Sequence, residues 1–316
     1  MREFGFELAL SAHLEREGTL VSRQLGGHVH GRRILDTVVV EPTDQLPDRA
    51  AITAQSIPTA AIESAVGTGR ARYWKDAFDC HPERAERAVE LAVERGFFEH
   101  ERRGGRTYVR QTTRYPDWVR SITAIENKPD LDRPGELETQ LRTDVSLALA
   151  DRVVLATSDY VTRAHLNRIP EEVGVWRFDP DGGEREVVRE PTDLRSDEPG
   201  IELVERTPAR DDIRPVTATE KASARVRLAE RAYAKGWRTF DYPACERCSP
   251  DENGVPHCPW KGRPVRASED CGESCGGYEP GDPPTFDGER ARADRTPWDP
   301  DPAGRRRRQS GLDRFG

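Results

Sequence analysis

Ile122–Leu131 reads ITAIENKPDL, a short β-prone run that carries Glu126 and Lys128 two residues apart at its end and then breaks at Pro129. Side chains alternate along a strand with period two, so Glu126 and Lys128 point to the same face. The lysine stands out because the chain holds only five among its 316 residues, and a surface cation in this composition is ordinarily arginine. Upstream, RRILDTVVVEP is a second β-rich run with Asp36 inside it, stopped by Pro42. If the two strands are neighbours, Asp36 and Glu126 both reach one divalent cation. Mg²⁺ prefers such hard oxygen ligands and retains waters, one of which can become a nucleophile. Lys128 can orient that water or offset charge developing on a phosphate.

After the loop PDLDRPG, the spacing of Leu137, Leu141, Val145 and Leu149 predicts a helix over Glu136–Ala150. DRVVLATSD then reads as an apolar strand buried on both faces, and VGVWRFD as another after a short helix. A β-helix-β crossover implies a parallel pair, so an α/β domain with the Asp36 strand beside it is the economical fold. Phe4 to Arg16 has helical spacing and Gly18 ends it, giving an opening order of helix, loop, strand.

The block between Pro42 and Pro116 has a different character. Helical patterns fall near Thr59–Val66 and Arg70–Phe78, with a stronger one over Pro82–Arg95, and GFFEHERRGGRTYVRQT reads as a hairpin around Gly104 and Gly105. Three helices and a hairpin is the winged-helix order, so residues 43–115 are expected to form an inserted winged-helix-like domain. Its hairpin concentrates Arg102, Arg103, Arg106, Arg110 and Arg114 around Tyr108. Such a wing can lie along a DNA phosphate backbone; a solvated hairpin or a protein-contact surface are the other readings. Residues 181–218 are polar and rich in Pro and Gly and read as a connecting segment. A helix, EKASARVRLAERAYAKG, opens the stretch 219–278, and the tail 279–316, ending in Arg305–Arg308, reads as disordered.

Five of the six cysteines fall close together as Cys245-x2-Cys248, Cys258 and Cys271-x3-Cys275, while Cys80 stands alone and reads as a small buried residue. Two close pairs of thiolates can grip a tetrahedral ion, which favours a structural Zn²⁺, with His257 a further donor. The alternative is an iron-sulfur cluster. With 57 acidic against 49 basic residues, 44 of them arginine, the balance is halophile-like, and the net charge of −8 speaks to the solvent more than to a partner. No run is long and apolar enough to span a bilayer and the start lacks a signal-peptide pattern, so a cytoplasmic protein without a membrane partner is expected.

The order of these elements resembles the PD-(D/E)XK nuclease superfamily, which includes archaeal Holliday-junction resolvases, many restriction enzymes and RecB-like exonucleases. The resemblance spans residues 4 to 178: an early helix with Glu7, LDTVVV with Asp36, TAIENK with Glu126 and Lys128, and GELETQLRTDVSLALAD with Gln140, followed by RVVLATSD. It implies that Asp36 and Glu126 hold Mg²⁺ or Mn²⁺, that Lys128 assists the water, and that Glu7 supports a second ion. Gln140 resembles the helix glutamine of the RecB-like subset. The chain departs from the pattern in two places: the insert separates Asp36 from Glu126, and Leu35 stands where a proline is common. The expectation is a restriction-endonuclease-like α/β fold, a mixed sheet flanked by helices (1–42 and 116–180), with the winged-helix insert and a small C-terminal cysteine-rich metal module. The function it implies is metal-dependent DNA hydrolysis in repair, recombination or defence. The alternatives are a DNA-binding regulator with an inactive nuclease-like fold, and a module that contacts a protein partner through the wing or the C-terminal tail.

Overall fold

A computed structural model describes residues 3–132, 136–206 and 210–305. Residues 133–135 of the PDLDRPG loop, 207–209 of the polar segment, and the tail from Arg306 onward lie outside the described residues. Along the chain, helix α1 (Glu3–Arg16) leads into strands β1 (Leu20–Gly26) and β2 (Ile34–Pro42). Helices α2 (Leu46–Ala50) and α3 (Thr59–Glu63), strand β3 (Arg72–Tyr73), helix α4 (Pro82–Glu94) and strands β4 (Phe98–Arg103) and β5 (Arg106–Gln111) follow. Next come β6 (Val119–Asn127), α5 (Leu137–Leu147), β7 (Arg152–Thr157), α6 (Arg163–Leu166), β8 (Gly174–Asp179) and β9 (Glu184–Arg189). The chain continues through β10 (Gly200–Arg206), β11 (Asp211–Val216) and α7 (Ala218–Lys235). Three short strands, β12 (Ser249–Pro250), β13 (Pro256–Cys258) and β14 (Arg263–Pro264), precede helices α8 (Ala267–Asp270) and α9 (Gly288–Arg295).

These elements form two units, one from Met1–Pro42 with Val119–Thr296 and the other from Thr43–Trp118 with the stretch from Pro297. The first is mixed α/β, built on a six-stranded sheet of order β1-β2-β6-β7-β8-β9. The β6–β7 and β7–β8 pairs are parallel and the others antiparallel. Val153 and Val154 show how the layers arise, because consecutive strand residues face opposite sides. Val154 joins Phe6, Leu10 and Leu14 of α1, Val39 and Ile125 in one core cluster. Val153 joins Leu137 and Leu141 of α5, Leu155 and Val175 in another. Helices therefore cover both faces of the central strands, and the middle of β7, Val153–Ala156, is apolar for that reason.

Three readings of the first unit need correction. Leu20–Gly26, taken as loop, is a strand whose buried polar residues have partners: Ser22 Oγ donates to the Gly236 carbonyl at 2.9 Å, and Arg23 pairs with Glu7. The polar segment 181–218 is not merely connecting, since β9 is an edge strand of the main sheet and β10 pairs with β11. Arg and Glu on β9 mask the strand signal, as is usual on an exposed edge. The tail contains α9, with its N-terminus capped by Asp287, so it is not disordered over its described length. Arg292 of α9 is buried and donates to the Ala232 and Tyr233 carbonyls at the end of α7, at 3.3 and 2.7 Å, where the helix dipole favours a cation. Among the described residues no helix is long and apolar enough to cross a membrane.

In the second unit, Ile52, Ile57, Ala61, Val89, Ala92, Phe97, Phe98 and Val109 form the core, under an antiparallel sheet of order β3-β5-β4. Arg70–Phe78, read as helical, instead supplies β3 and a single 3-10 turn, Trp74–Asp76. Pairing of Arg72 and Tyr73 with Val109 and Tyr108 overrides the local preference. Gly104 and Gly105 turn the β4–β5 hairpin with φ +54° and +78°, the left-handed region that two-residue hairpin turns need.

Candidate active site and cysteine cluster

The register of the main sheet builds a polar row. Thr37 of β2 lies opposite Ile125 of β6, which puts Asp36 opposite Glu126 on the same face. Leu25 lies opposite Leu35 and Arg23 opposite Thr37, so Gln24 of β1 stands opposite Asp36. Gln24, Asp36 and Glu126 thus run across three adjacent strands. Gln24 has φ +53°, a left-handed conformation that costs a non-glycine residue about 1 kcal/mol or more, and such strain gathers where a side chain must be aimed. Its Nε2 donates to Glu7 Oε1 at 3.1 Å and to Asp36 Oδ1 at 3.4 Å.

Each carboxylate of the row has a distinct environment. Glu7, 4% exposed, comes from α1 and takes two bonds of 2.9 Å from Arg23. Asp36 Oδ2 accepts the Asn127 backbone N–H at 3.0 Å. Burial, together with the charge of Glu7, pushes the Asp36 carboxyl up to about 6 although the Asn127 N–H and Arg33 oppose this. Glu126, 6% exposed, accepts from Arg33 Nη2 at 2.6 Å. Burial and the opposing charge of Asp36 push it up to about 7 against the pull of Arg33. Arg33 also grips Asp144 of α5 through two bonds, 2.9 and 2.7 Å, and burial still raises the Asp144 carboxyl above the usual range.

The loop that delivers Arg33 is itself clamped. The backbone N–H groups of Val29, His30 and Gly31 all donate to the buried Glu202 carboxylate of β10, at 2.9 to 3.2 Å. Next to Glu7 and Asp36 opens a cleft of about 890 Å³, lined among others by Phe4, Arg23, Gln24, Lys235, Phe240 and Arg266.

The structure therefore brings Glu7, Asp36 and Glu126 together. Lys128 follows the end of β6, half-buried, with its backbone N–H donating to the Ala156 carbonyl at 2.9 Å. Gln140 lies on α5 one turn before Asp144, half-buried, and it is Asp144 that meets Arg33. Sequence reasoning missed Arg23, Gln24, Arg33 and Asp144. The signals were a buried strand with polar residues and an acid at i+4 from Gln140, on the same helix face. No grouping of three or more His, Cys, Asp or Glu side chains that could hold a metal ion occurs among the described residues. In the row, Arg33 and Arg23 occupy the carboxylates that a cation would otherwise draw together.

Cys258 ends β13, and the other four cysteines of the cluster sit on loops around β12–β14. Cys245, Cys248 and Cys258 are each 5% exposed, while Cys271 and Cys275 are half-buried and no disulfide joins any of them. Cys248, Cys258 and Cys271 pack around Val265. The N–H of Cys248 donates to the Cys245 carbonyl, and those of Lys261 and Gly262 to the Cys258 carbonyl, so two tight turns present thiols inward. Burial, and after it the neighbouring Cys271, Cys258 and Cys245, push the Cys248 thiol up to about 11. Cys80 belongs to the other unit.

On the hairpin of the second unit, Arg103 pairs with Glu101 and lies over the Tyr108 ring, and Arg110 pairs with Glu99 at 2.9 Å. Arg106 lies over Tyr73, 5.4 Å from its centroid, and Arg102 is exposed. No curated protein and no solved structure matches the chain. A family profile, described as a family of unknown function, matches residues 20–280, and the chain belongs to that family, DUF5787.

Proposed function

We propose that this chain is a metal-dependent nuclease of the PD-(D/E)XK kind, hydrolysing phosphodiesters of DNA. One observation carries the reading: Asp36 and Glu126 face each other across neighbouring strands, with their carboxyls raised to about 6 and about 7. Two buried carboxylates this short of positive charge suit a divalent cation. Asp36 and Glu126 would hold Mg²⁺ or Mn²⁺, with Glu7 beside Asp36 for a second ion. Such an ion, when bound, supplies an activated water and charge stabilisation at a phosphate. In this reading Lys128, two residues after Glu126 and just past the end of β6, orients the nucleophile, and Gln140, one turn before Asp144 on α5, supports the site. Glu126 must exchange Arg33 for the cation, leaving Arg33 with Asp144.

Within the same reading, the helices and hairpin of the second unit act as a winged-helix-like DNA contact through Arg102, Arg103, Arg106 and Arg110. Cys245, Cys248, Cys258 and Cys271 or Cys275 hold a structural Zn²⁺, with an iron-sulfur cluster as the alternative. The test is cleavage of single-stranded, double-stranded and branched DNA with Mg²⁺ or Mn²⁺ in high salt. Lys128→Ala should lose cleavage and keep DNA binding; equal activity of the two proteins, or inertness of both, overturns the assignment. A second reading, a DNA-binding regulator with an inactive nuclease-like fold, is favoured by the 2.6 Å Arg33–Glu126 ion pair, which already occupies one of the two facing carboxylates. Inert wild-type protein that binds DNA through the wing would select it.

A further inference from the structure

The cleft beside Asp36 has features that phosphodiester hydrolysis alone does not call for. Two aromatic rings, Phe4 at the start of α1 and Phe240 beyond α7, line it together with the row's Asp36. Both rings are partly buried against the core of their unit, so they are fixed in place without being covered. The guanidinium of Arg266 lies 4.7 Å from the Phe4 centroid, and that of Arg23 lies 5.5 Å away. Arg23 is spoken for by Glu7, whereas the half-exposed Arg266 pairs with the neighbouring Glu269 and lies over the Phe4 ring. Flat rings flanked by a planar cation form the platform on which unpaired bases stack, since every base presents a π-face. At about 890 Å³ the cleft has the size of pockets that hold one ligand-sized group.

We infer that this cleft is a subsite for unpaired nucleobases, stacked against Phe4 and Phe240 under Arg266, so that the row takes a single-stranded nucleic acid or a frayed end. The inference deepens the nuclease reading and rests on it for the direction of the strand toward Asp36. The charge around the cleft adds a condition. Glu3, Glu7, Asp36, Asp241 and Glu269 line it against Arg23, Lys235 and Arg266, and Arg23 is already neutralised by Glu7. A polyanion enters only when divalent cations offset these carboxylates, so the backbone supplies little affinity by itself and the bases supply most of it.

The test is binding of full-length protein to a pentameric oligothymidylate in Ca²⁺, beside an abasic oligomer with the same number of phosphates. The expected result is tighter binding of the base-containing strand. Phe4→Leu with Phe240→Leu, which keeps apolar bulk in the core, should cut that affinity about tenfold or more and leave the abasic oligomer unaffected. Phe4→Trp should retain it. Equal affinity of wild type for both oligomers, an unchanged Leu double variant, or a blunt duplex that competes as well as the single strand would overturn the subsite. Base-dependent binding in either a deoxyribo or a ribo series supports it and identifies the source. Cleavage in Mg²⁺ is read separately. Base-dependent binding without cleavage removes the nuclease reading and leaves the subsite, and cleavage indifferent to both phenylalanines removes the subsite and leaves the nuclease.

Discussion

The carboxylate row and the cysteine cluster belong to the same unit and are both rich in groups that bind cations, yet they are held in opposite ways. Asp36 and Glu126 stand on long central strands whose pairing and apolar packing exist without them, and Arg33 and Arg23 already pair with Glu126 and Glu7. The cysteines stand at the ends of, and on the loops flanking, strands of two or three residues, with Val265 almost alone beneath them. A site on a rigid sheet can be complete before its ion arrives. A site on turns lacks the buried area to hold itself together, so there a metal would contribute folding energy outright.

The sharpest way to break this contrast is to remove metal. Chelation, or Cys245→Ser with Cys248→Ser, should release about one zinc per chain and abolish hydrogen-exchange protection across the cysteine-bearing turns, because structural zinc is worth on the order of 10 kcal/mol to such segments. The central strands β6 and β7 should keep their protection. Undiminished protection of the turns would make them self-supporting and end the contrast, and a brown protein carrying several irons would replace zinc with an iron-sulfur cluster.

Arg33→Ala probes the row. It leaves buried Glu126 and Asp144 without their shared cation, which should cost about 3–5 kcal/mol in metal-free denaturation at pH 8. Mg²⁺ should restore part of the loss, and no response to Mg²⁺ would show that the row does not take the ion.

A smaller effect separates the row from an ordinary ion pair. Because the Glu126 carboxyl is raised to about 7, the native state holds its proton more tightly than the unfolded chain does. The stability due to that proton is fully present below about pH 4.5 and is lost as pH rises through about 7. Glu126→Gln should therefore flatten the fall of stability between pH 5 and 8, by about 1–3 kcal/mol at the upper end. A pH profile identical to wild type would show that Glu126 is ionised throughout. Smallest of all, Arg103→Ala with Arg106→Ala should change stability by less than about 1 kcal/mol, since Arg103 is a surface pair. Its DNA affinity should fall alike for all sequences, with a shallower salt dependence; unchanged binding would move the hairpin to a protein-contact role.

The central sheet was legible because its strands obey simple rules: RVVLAT is apolar on both faces and ILDTVVV places one acid in an otherwise apolar run. That Asp36 meets Glu126 was legible only as a conditional, since strand adjacency across a long insert leaves no local trace. Arg33 left none either, and Gln24 and Asp144 left only a polar residue in a buried strand and an acid one turn after Gln140. Their roles depend on a loop clamped from a distant strand by Glu202 and on a backbone angle at Gln24, and charged residues in loops or on helices ordinarily belong to the surface. The strands β9–β11 and helix α9 were hidden by the same habit of this chain, which uses paired arginines and glutamates where others use apolar contacts, as Arg238 and Arg295 do around buried Glu15.

The pairing of Pro42 with Val119 brings the two ends of the second unit's main segment side by side at the rim of β2 and β6, and the Thr43 N–H continues the ladder to the Trp118 carbonyl at 2.8 Å. For an unfolded chain, joining strands across so long a loop costs roughly 2–3 kcal/mol more than joining them across a tight turn. Once the insert has folded, it presents its ends already apposed and acts as a clip of negligible length. If the insert folds first, assembly of the carboxylate row follows it, and slowing the insert's folding should delay the meeting of Asp36 and Glu126 without altering either strand.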